Sequence, residues 1–106
     1  MESKNIYYKD YLNLSGIIGS QHPISFEPGN KPAHDEMLFI IIHQAFELWF
    51  KQILFELDYI CGIFGKEKIN DNSEDMNLAL HRLKRVEKIL GLLNQQVTIL
   101  DTMTPM

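Results

Sequence analysis

The chain has 106 residues, enough for one modest domain, and its 45% hydrophobic and 23% charged content is that of a folded globular chain rather than a disordered one. Ten Lys and Arg against 14 Asp and Glu leave a formal charge of -4, which weighs against a dedicated nucleic-acid binder, since such proteins carry a basic excess. One cysteine, Cys61, permits no internal disulfide and gives no sign of an oxidising compartment.

The first ten residues lack the apolar stretch of a secretory signal. The longest unbroken apolar run is six residues, Met37 to Ile42, against the roughly 20 that span a bilayer. A soluble, cytoplasmic protein with no membrane partner is expected. Residues 5–18 are aromatic and amphipathic, and Tyr8, Tyr11 and Leu12 fall on one helical face. Gly16 and Gly19 weaken the end of that helix. Residues 19–32 hold three of the four prolines and read as a loop.

One helix is predicted over 33–64, opened by Pro32 with Asp35 and Glu36 at its positive end and closed by Gly65. At about 30 residues it is about 45 Å long. Gln44, Glu47, Lys51 and Asp58 make a narrow polar stripe, and the rest of the girth is largely apolar. Such a helix must be buried against several partners. Residues 65–72 form a polar connector, where Asp71 and Glu74 have capping-box spacing. A second helix is predicted over 73–103. Its seam is Met76, Ala79, Leu83, Val86, Leu90, Leu93, Val97 and Leu100, which should face Met37, Ile41 and Leu48 of the first helix.

The fold expected is all-α: a long antiparallel hairpin over 33–106, preceded by a short N-terminal helical segment and loop over 1–32. Both long helices carry apolar residues beyond one face. A hairpin covers one face of each, so further chains or further sequence must cover the rest, as in a larger bundle. That expectation covers an oligomer, a fragment or both.

Few residues offer chemistry. His43 sits mid-helix among apolar neighbours, where an imidazole can bind a ligand or exchange a proton, or can simply bond a neighbouring core group. No Glu-x-x-His pair and no H-E-x-x-H motif is present, so no metal held by this chain is expected. His22 and His34 flank the loop and read as solvated. Cys61 reads as a small buried hydrophobe. His81 to Arg85 with Lys88 is a basic stretch interleaved with leucines, read as a solvated helix face, with RNA binding as the alternative.

The run His34-Asp-Glu-Met-Leu-Phe-Ile-Ile-Ile-His43-Gln-Ala-Phe-Glu-Leu-Trp-Phe-Lys-Gln-Ile-Leu54 closely resembles the tryptophan 2,3-dioxygenase family. Its pattern there is H-D-E-x-L-F-I-I-x-H-Q-x-x-E-L-W-x-K. Tyr8-Lys-Asp-Tyr11-Leu12 is similar to the family's Y-x-x-Y-L segment. Leu93 to Pro105 is similar to the stretch ending its second long helix. The resemblance implies an all-α, haem-containing homotetramer that inserts both atoms of O₂ across the indole C2–C3 bond of L-tryptophan to give N-formyl-L-kynurenine.

By position, the resemblance makes His43 the distal-side histidine facing the indole N–H, and Phe39 the ring packed on the indole. Phe39, Ile40, Ile41, Ile42 and His43 form the substrate-contacting stretch. Tyr8, Tyr11 and Leu12 match residues lent to a neighbouring subunit's pocket. The family's carboxylate-binding arginine and its proximal haem histidine have no counterpart here. The chain is therefore expected to be the N-terminal part of such an enzyme, inactive alone, with a missing C-terminal part as partner. A non-enzymatic helical oligomerisation module is the alternative.

Overall fold

A computed structural model describes residues 7–65 and 74–104. Among the described residues there is no strand, and the all-α expectation holds. Helix α1 is Tyr8–Tyr11 and α2 is Leu14–Ile18. A 3-10 turn follows at Ile24–Phe26. The long helices are α3, Glu36–Phe64, and α4, Glu74–Gln96, which runs on as a 3-10 helix over Val97–Thr102. The connector from Lys66 on and the Asp71 cap lie outside the described residues.

The N-terminal segment is two short helices rather than one. The break is Asn13, at φ 52° in the left-handed region, which Asn tolerates better than most residues. Its side chain folds over Gly16, where a Cβ would come within 2.7 Å of the Asn13 amide. Gly16 leaves room for this close approach, and for any larger residue there the flexible Asn13 amide would have to move aside.

Helix α3 begins at Glu36, three residues later than predicted, because Ala33 to Asp35 form a turn closed by Glu36 N–H on the Ala33 carbonyl at 3.1 Å. The two acids at this end act as tethers. Glu36 accepts the N–H groups of Ile24 and Ser25 at 3.0 and 2.8 Å, pinning the 3-10 turn. Asp35 accepts the Thr104 N–H and hydroxyl at 2.7 and 2.9 Å, pinning the end of the chain's last helical segment. Thr104 thus holds the Asp35 carboxyl below its ordinary value, through its N–H first. Ser25, through its side chain and then its N–H, does the same to Glu36.

The hairpin is a heptad pair. Ile42, Phe46, Trp49, Ile53, Glu56, Ile60 and Ile63 of α3 recur at alternating steps of four and three, and all are buried or half-buried. Ala79, Arg82, Val86, Ile89 and Leu93 do the same on α4. The seam has two apolar clusters: Ile53, Val86, Ile89 and Leu93 with Phe46 and Trp49, and Ile60, Ile63 and Ala79 with Leu78. Burying each large aliphatic side chain stabilises by about 1.5–3 kcal/mol.

This seam corrects the predicted one. Ala79, Val86 and Leu93 are buried as expected, but Leu83, Leu90 and Val97 are exposed, and Arg82 and Ile89 take their place. On α3, Ile41 and Leu48 are exposed and Met37 is half-buried. The physical reason lies at Glu56, between the two clusters. Its buried carboxylate draws Arg82 and Arg85 toward α3, and this turns the neighbouring leucine column outward.

The molecule measures 63 × 41 × 19 Å. A helix with its side chains is about 10–12 Å across, so the slab is thin and every helix keeps an open face. By length and composition α3 is apolar enough to cross a membrane, although no single run in it exceeds six residues. Exposed Glu47, Lys51 and Asp58 interrupt its middle, and a charge near mid-bilayer costs about 2.5–3.5 kcal/mol on insertion scales. A protein surface is a better cover for this helix than lipid.

Candidate functional site

Four aromatic rings climb one side of α3. Phe39 and His43 have ring centroids 4.3 Å apart. The His43 ring meets Phe46 edge-on at 6.5 Å, and Phe46 lies nearly parallel to Phe50 at 6.2 Å. The i, i+4 and i, i+3 steps of a helix produce this ladder.

His43 Nδ1 lies 2.7 Å from the Phe39 carbonyl oxygen. A carbonyl only accepts, so Nδ1 carries the proton, and in the neutral ring Nε2 is an acceptor. The exposed imidazole thus offers a lone pair held beside a Phe face. That combination suits a flat aromatic ligand with an N–H at its edge.

Beside it runs an open groove of about 610 Å³ between α2 and α3. Asn13, Ile17 and Ser20 form one wall, and His43, Gln44, Glu47, Leu48 and Lys51 the other. Gln44 ties the walls together, its Nε2 donating to the Ser20 carbonyl at 3.1 Å and its Oε1 accepting from Gln21 Nε2 at 2.9 Å. In the sequence Gln44, Glu47 and Lys51 stand out only as part of a narrow polar stripe with Asp58. Their spacing with Leu48, at i, i+3, i+4 and i+7, was the signal that they form one wall.

The other titratable cluster is Glu56. Its carboxylate accepts from Gln52 Nε2 at 2.7 Å and Arg85 Nη1 at 2.9 Å, with Arg82 Nε at 3.6 Å. The Arg82 guanidinium also sits 5.6 Å from the Tyr59 ring centroid. The Arg85 hydrogen bond is the main cause holding Glu56 below its ordinary value; burial opposes it, and Gln52 and the arginine charges add to it. A carboxylate kept ionised in this way ties α3 to α4 and does not serve as a general acid.

The chain matches the family profile described as tryptophan 2,3-dioxygenase over residues 1–106. It is similar to the tryptophan 2,3-dioxygenase of Bdellovibrio bacteriovorus, 50% identical over 106 residues, which are 100% of this chain and 29% of the relative. It is similar to that of Alteromonas mediterranea, 47% identical over 105 residues, covering 96% of this chain and 28% of the relative. With that of Anopheles gambiae it shares 52% identity over 99 residues, 93% of this chain and 24% of the relative. The chain belongs to the tryptophan 2,3-dioxygenase family. It spans about a quarter of the length of these curated relatives.

Of the residues singled out from the family resemblance, Phe39 and His43 stand together in the ring ladder. Ile40 is half-buried, Ile41 exposed and Ile42 buried, because consecutive residues of a helix point about 100° apart. Tyr8 and Tyr11 are each 75% exposed and Leu12 is at the margin of exposure; α1 packs mainly on α2. They do not join the His43 ladder within one chain. His22 and His34 are exposed. Cys61 is exposed rather than buried, because the hairpin covers the faces of Ile60 and Ile63 and leaves its own side of α3 open.

Among the described residues, no group of three or more His, Cys, Asp and Glu is placed to hold a metal. A haem iron would need fewer side chains from the protein than such a group. His43 in its Nδ1–H form keeps a lone pair on Nε2. That lone pair can serve either an N–H donor or an iron, but not both.

Proposed function

We propose that this chain supplies the substrate side of a haem-dependent dioxygenase that adds both atoms of O₂ across the indole C2–C3 bond of L-tryptophan, giving N-formyl-L-kynurenine. The observation that carries the reading is the Phe39–His43 pair, an aromatic face beside an imidazole whose Nδ1–H is tied to the Phe39 carbonyl. Phe39 packs on the indole plane. His43 Nε2 accepts the indole N–H and orients C2 and C3 toward the oxygen site. Haem, when bound, supplies the binding and activation of O₂.

The residues described here fit the indole side of such a pocket. On this reading the arginine fork for the substrate carboxylate and the iron ligand are supplied from elsewhere in the assembled enzyme. The reading includes a cytoplasmic homotetramer acting in tryptophan catabolism through the kynurenine pathway. Tyr8, Tyr11 and Leu12 of one subunit complete the pocket of the next, in keeping with their exposure in the single chain.

His43→Ala tests the assignment in an enzyme of the relatives' full length. Haem absorbance should be retained. Turnover should fall roughly 2- to 13-fold, the effect of one neutral hydrogen bond worth about 0.5–1.5 kcal/mol. Loss of haem with helicity intact would move His43 to the iron. A haem titration of this chain alone should show no tight binding, and adding the remainder of the enzyme should restore it.

A further inference from the structure

Gln44 follows His43 in α3 and faces the N-terminal arm formed by α1 and α2. Its Nε2 meets the Ser20 carbonyl at 3.1 Å, and its Oε1 meets Gln21 Nε2 at 2.9 Å. Gln21 Nε2 in turn donates to the Ile17 carbonyl at 2.9 Å. Each backbone carbonyl can only accept, so each amide has its nitrogen turned toward one and its orientation is fixed. The two amides interlock in one sense only, defining a direction as well as a contact.

Among the described residues the next tether is Glu36 on Ile24 and Ser25, beyond the end of α2, and little else holds the arm itself. Helix α2 has five residues and no buried side chain, and a helix so short does not persist without support. Asn13 joins it to α1 through a left-handed residue. The groove beside the amide pair is open, with only Ile17 and Leu48 as large aliphatic side chains among its lining residues.

We propose that Gln44 is a positioning residue: its side-chain amide locks the α1–α2 arm onto the helix that carries His43, and so sets the direction in which Tyr8, Tyr11 and Leu12 leave the subunit. What the arm serves rests on the dioxygenase reading; the lock itself does not. Three side chains delivered to another subunit's pocket must arrive within a fraction of an ångström to orient a substrate. An exposed helix of a few residues cannot hold that angle unaided. The lock and the indole-facing imidazole are consecutive residues, so arm and ligand side share one rigid support.

Spin labels test this in the chain as it stands, with labelled chain diluted in excess unlabelled chain so that only distances within one copy are read. The labels are placed through Ser15→Cys on α2 and Asp58→Cys on α3, both exposed, in a Cys61→Ala background. Pulsed dipolar spectroscopy should give one narrow distance distribution. Gln44→Leu removes both ties and should at least double its width, while Gln21→Leu leaves the Gln44–Ser20 bond and should broaden it less. The double variant should be no broader than Gln44→Leu, which already removes the contact that Gln21→Leu removes. Gln44→Glu keeps the acceptor for Gln21 and loses the donor to Ser20, so its width should be intermediate. A control pair, Asp58→Cys with Glu87→Cys on α4, should be unchanged throughout.

A broad distribution in the parent, a narrow one in Gln44→Leu, additive broadening, or movement of the control pair would each overturn the proposal. In an enzyme of full length, Gln44→Leu should raise KM for L-tryptophan several-fold with haem content unchanged. A broadened arm with unchanged KM overturns the use assigned to the arm under the dioxygenase reading and leaves the lock standing.

Discussion

Glu56 is 2% exposed, while the side chain of its closest cationic partner, Arg85, is 44% exposed. The asymmetry decides which substitution is worse. Glu56→Gln removes the buried charge and keeps an acceptor, and leaves arginines that water can reach; it should cost about 1–3 kcal/mol. Arg85→Met leaves the buried carboxylate with Gln52 and the longer Arg82 contact, and stranding a buried charge is the costlier error. Urea midpoints should therefore fall further for Arg85→Met than for Glu56→Gln. The pH dependence has a definite sign. The folded state holds the Glu56 carboxyl below its ordinary value. Its contribution is complete above the unfolded value of about 4.3 and is lost as pH falls through the folded value. Asp35 and Glu36 are lowered too and act with the same sign, so the contribution of Glu56 is the difference between the parent and Glu56→Gln. Their stabilities should converge as pH drops below about 4.

At the scale of helices, the outward turn of the predicted seam is testable by a pair of truncations. Ile53 lies inside the central cluster, and Ile53→Ala should cost about 2–5 kcal/mol. Leu90 is 52% exposed, and Leu90→Ala in this chain should stay within about 0.5 kcal/mol. Equal losses in thermal unfolding would restore the seam read from the sequence. That reading found both long helices and the columns Ala79, Val86 and Leu93, because apolar residues at steps of three and four leave a strong signal. It placed Leu90 rather than Ile89 beside that column, because both are aliphatic and spacing alone does not separate them. The choice is made by a long-range contact, Arg82 and Arg85 reaching Glu56 on the other helix, which no local spacing encodes. The Asn13 break was hidden in the same way: an Asn in a run of aromatic and aliphatic residues reads as one polar position of a helix, and only its fold over Gly16 shows the left-handed backbone. Around His43 the sequence led to the Phe39 ring. The Gln44 lock stayed out of view because its partners lie 23 and 24 residues away.

On the scale of the whole molecule, the open faces follow the heptad as closely as the closed one. Ile41, Leu48 and Phe55 repeat every seven residues on one flank of α3, and all are exposed. Phe50, Leu57 and Phe64 repeat on the other, and Leu83 and Leu90 of α4 with Val97, the first residue of the 3-10 helix, repeat on the second arm of the hairpin. The α3 flanks are separated by the polar stripe of Gln44, Lys51 and Asp58. A column repeating every seven residues is the surface that accepts another helix, and contiguous apolar faces of this extent are seldom left bare. The chain alone should therefore self-associate, which sedimentation velocity should register as species heavier than 12.4 kDa at micromolar concentration. Leu48→Lys with Phe55→Lys places two charges on one flank without touching the buried seam. That double variant should keep its helicity by circular dichroism, because neither side chain belongs to the core clusters. It should also shift the sedimentation profile toward the monomer. A parent chain that already sediments as a stable monomer would mean that these columns are tolerated bare, and the case for helices from other chains covering α3 would fall with it.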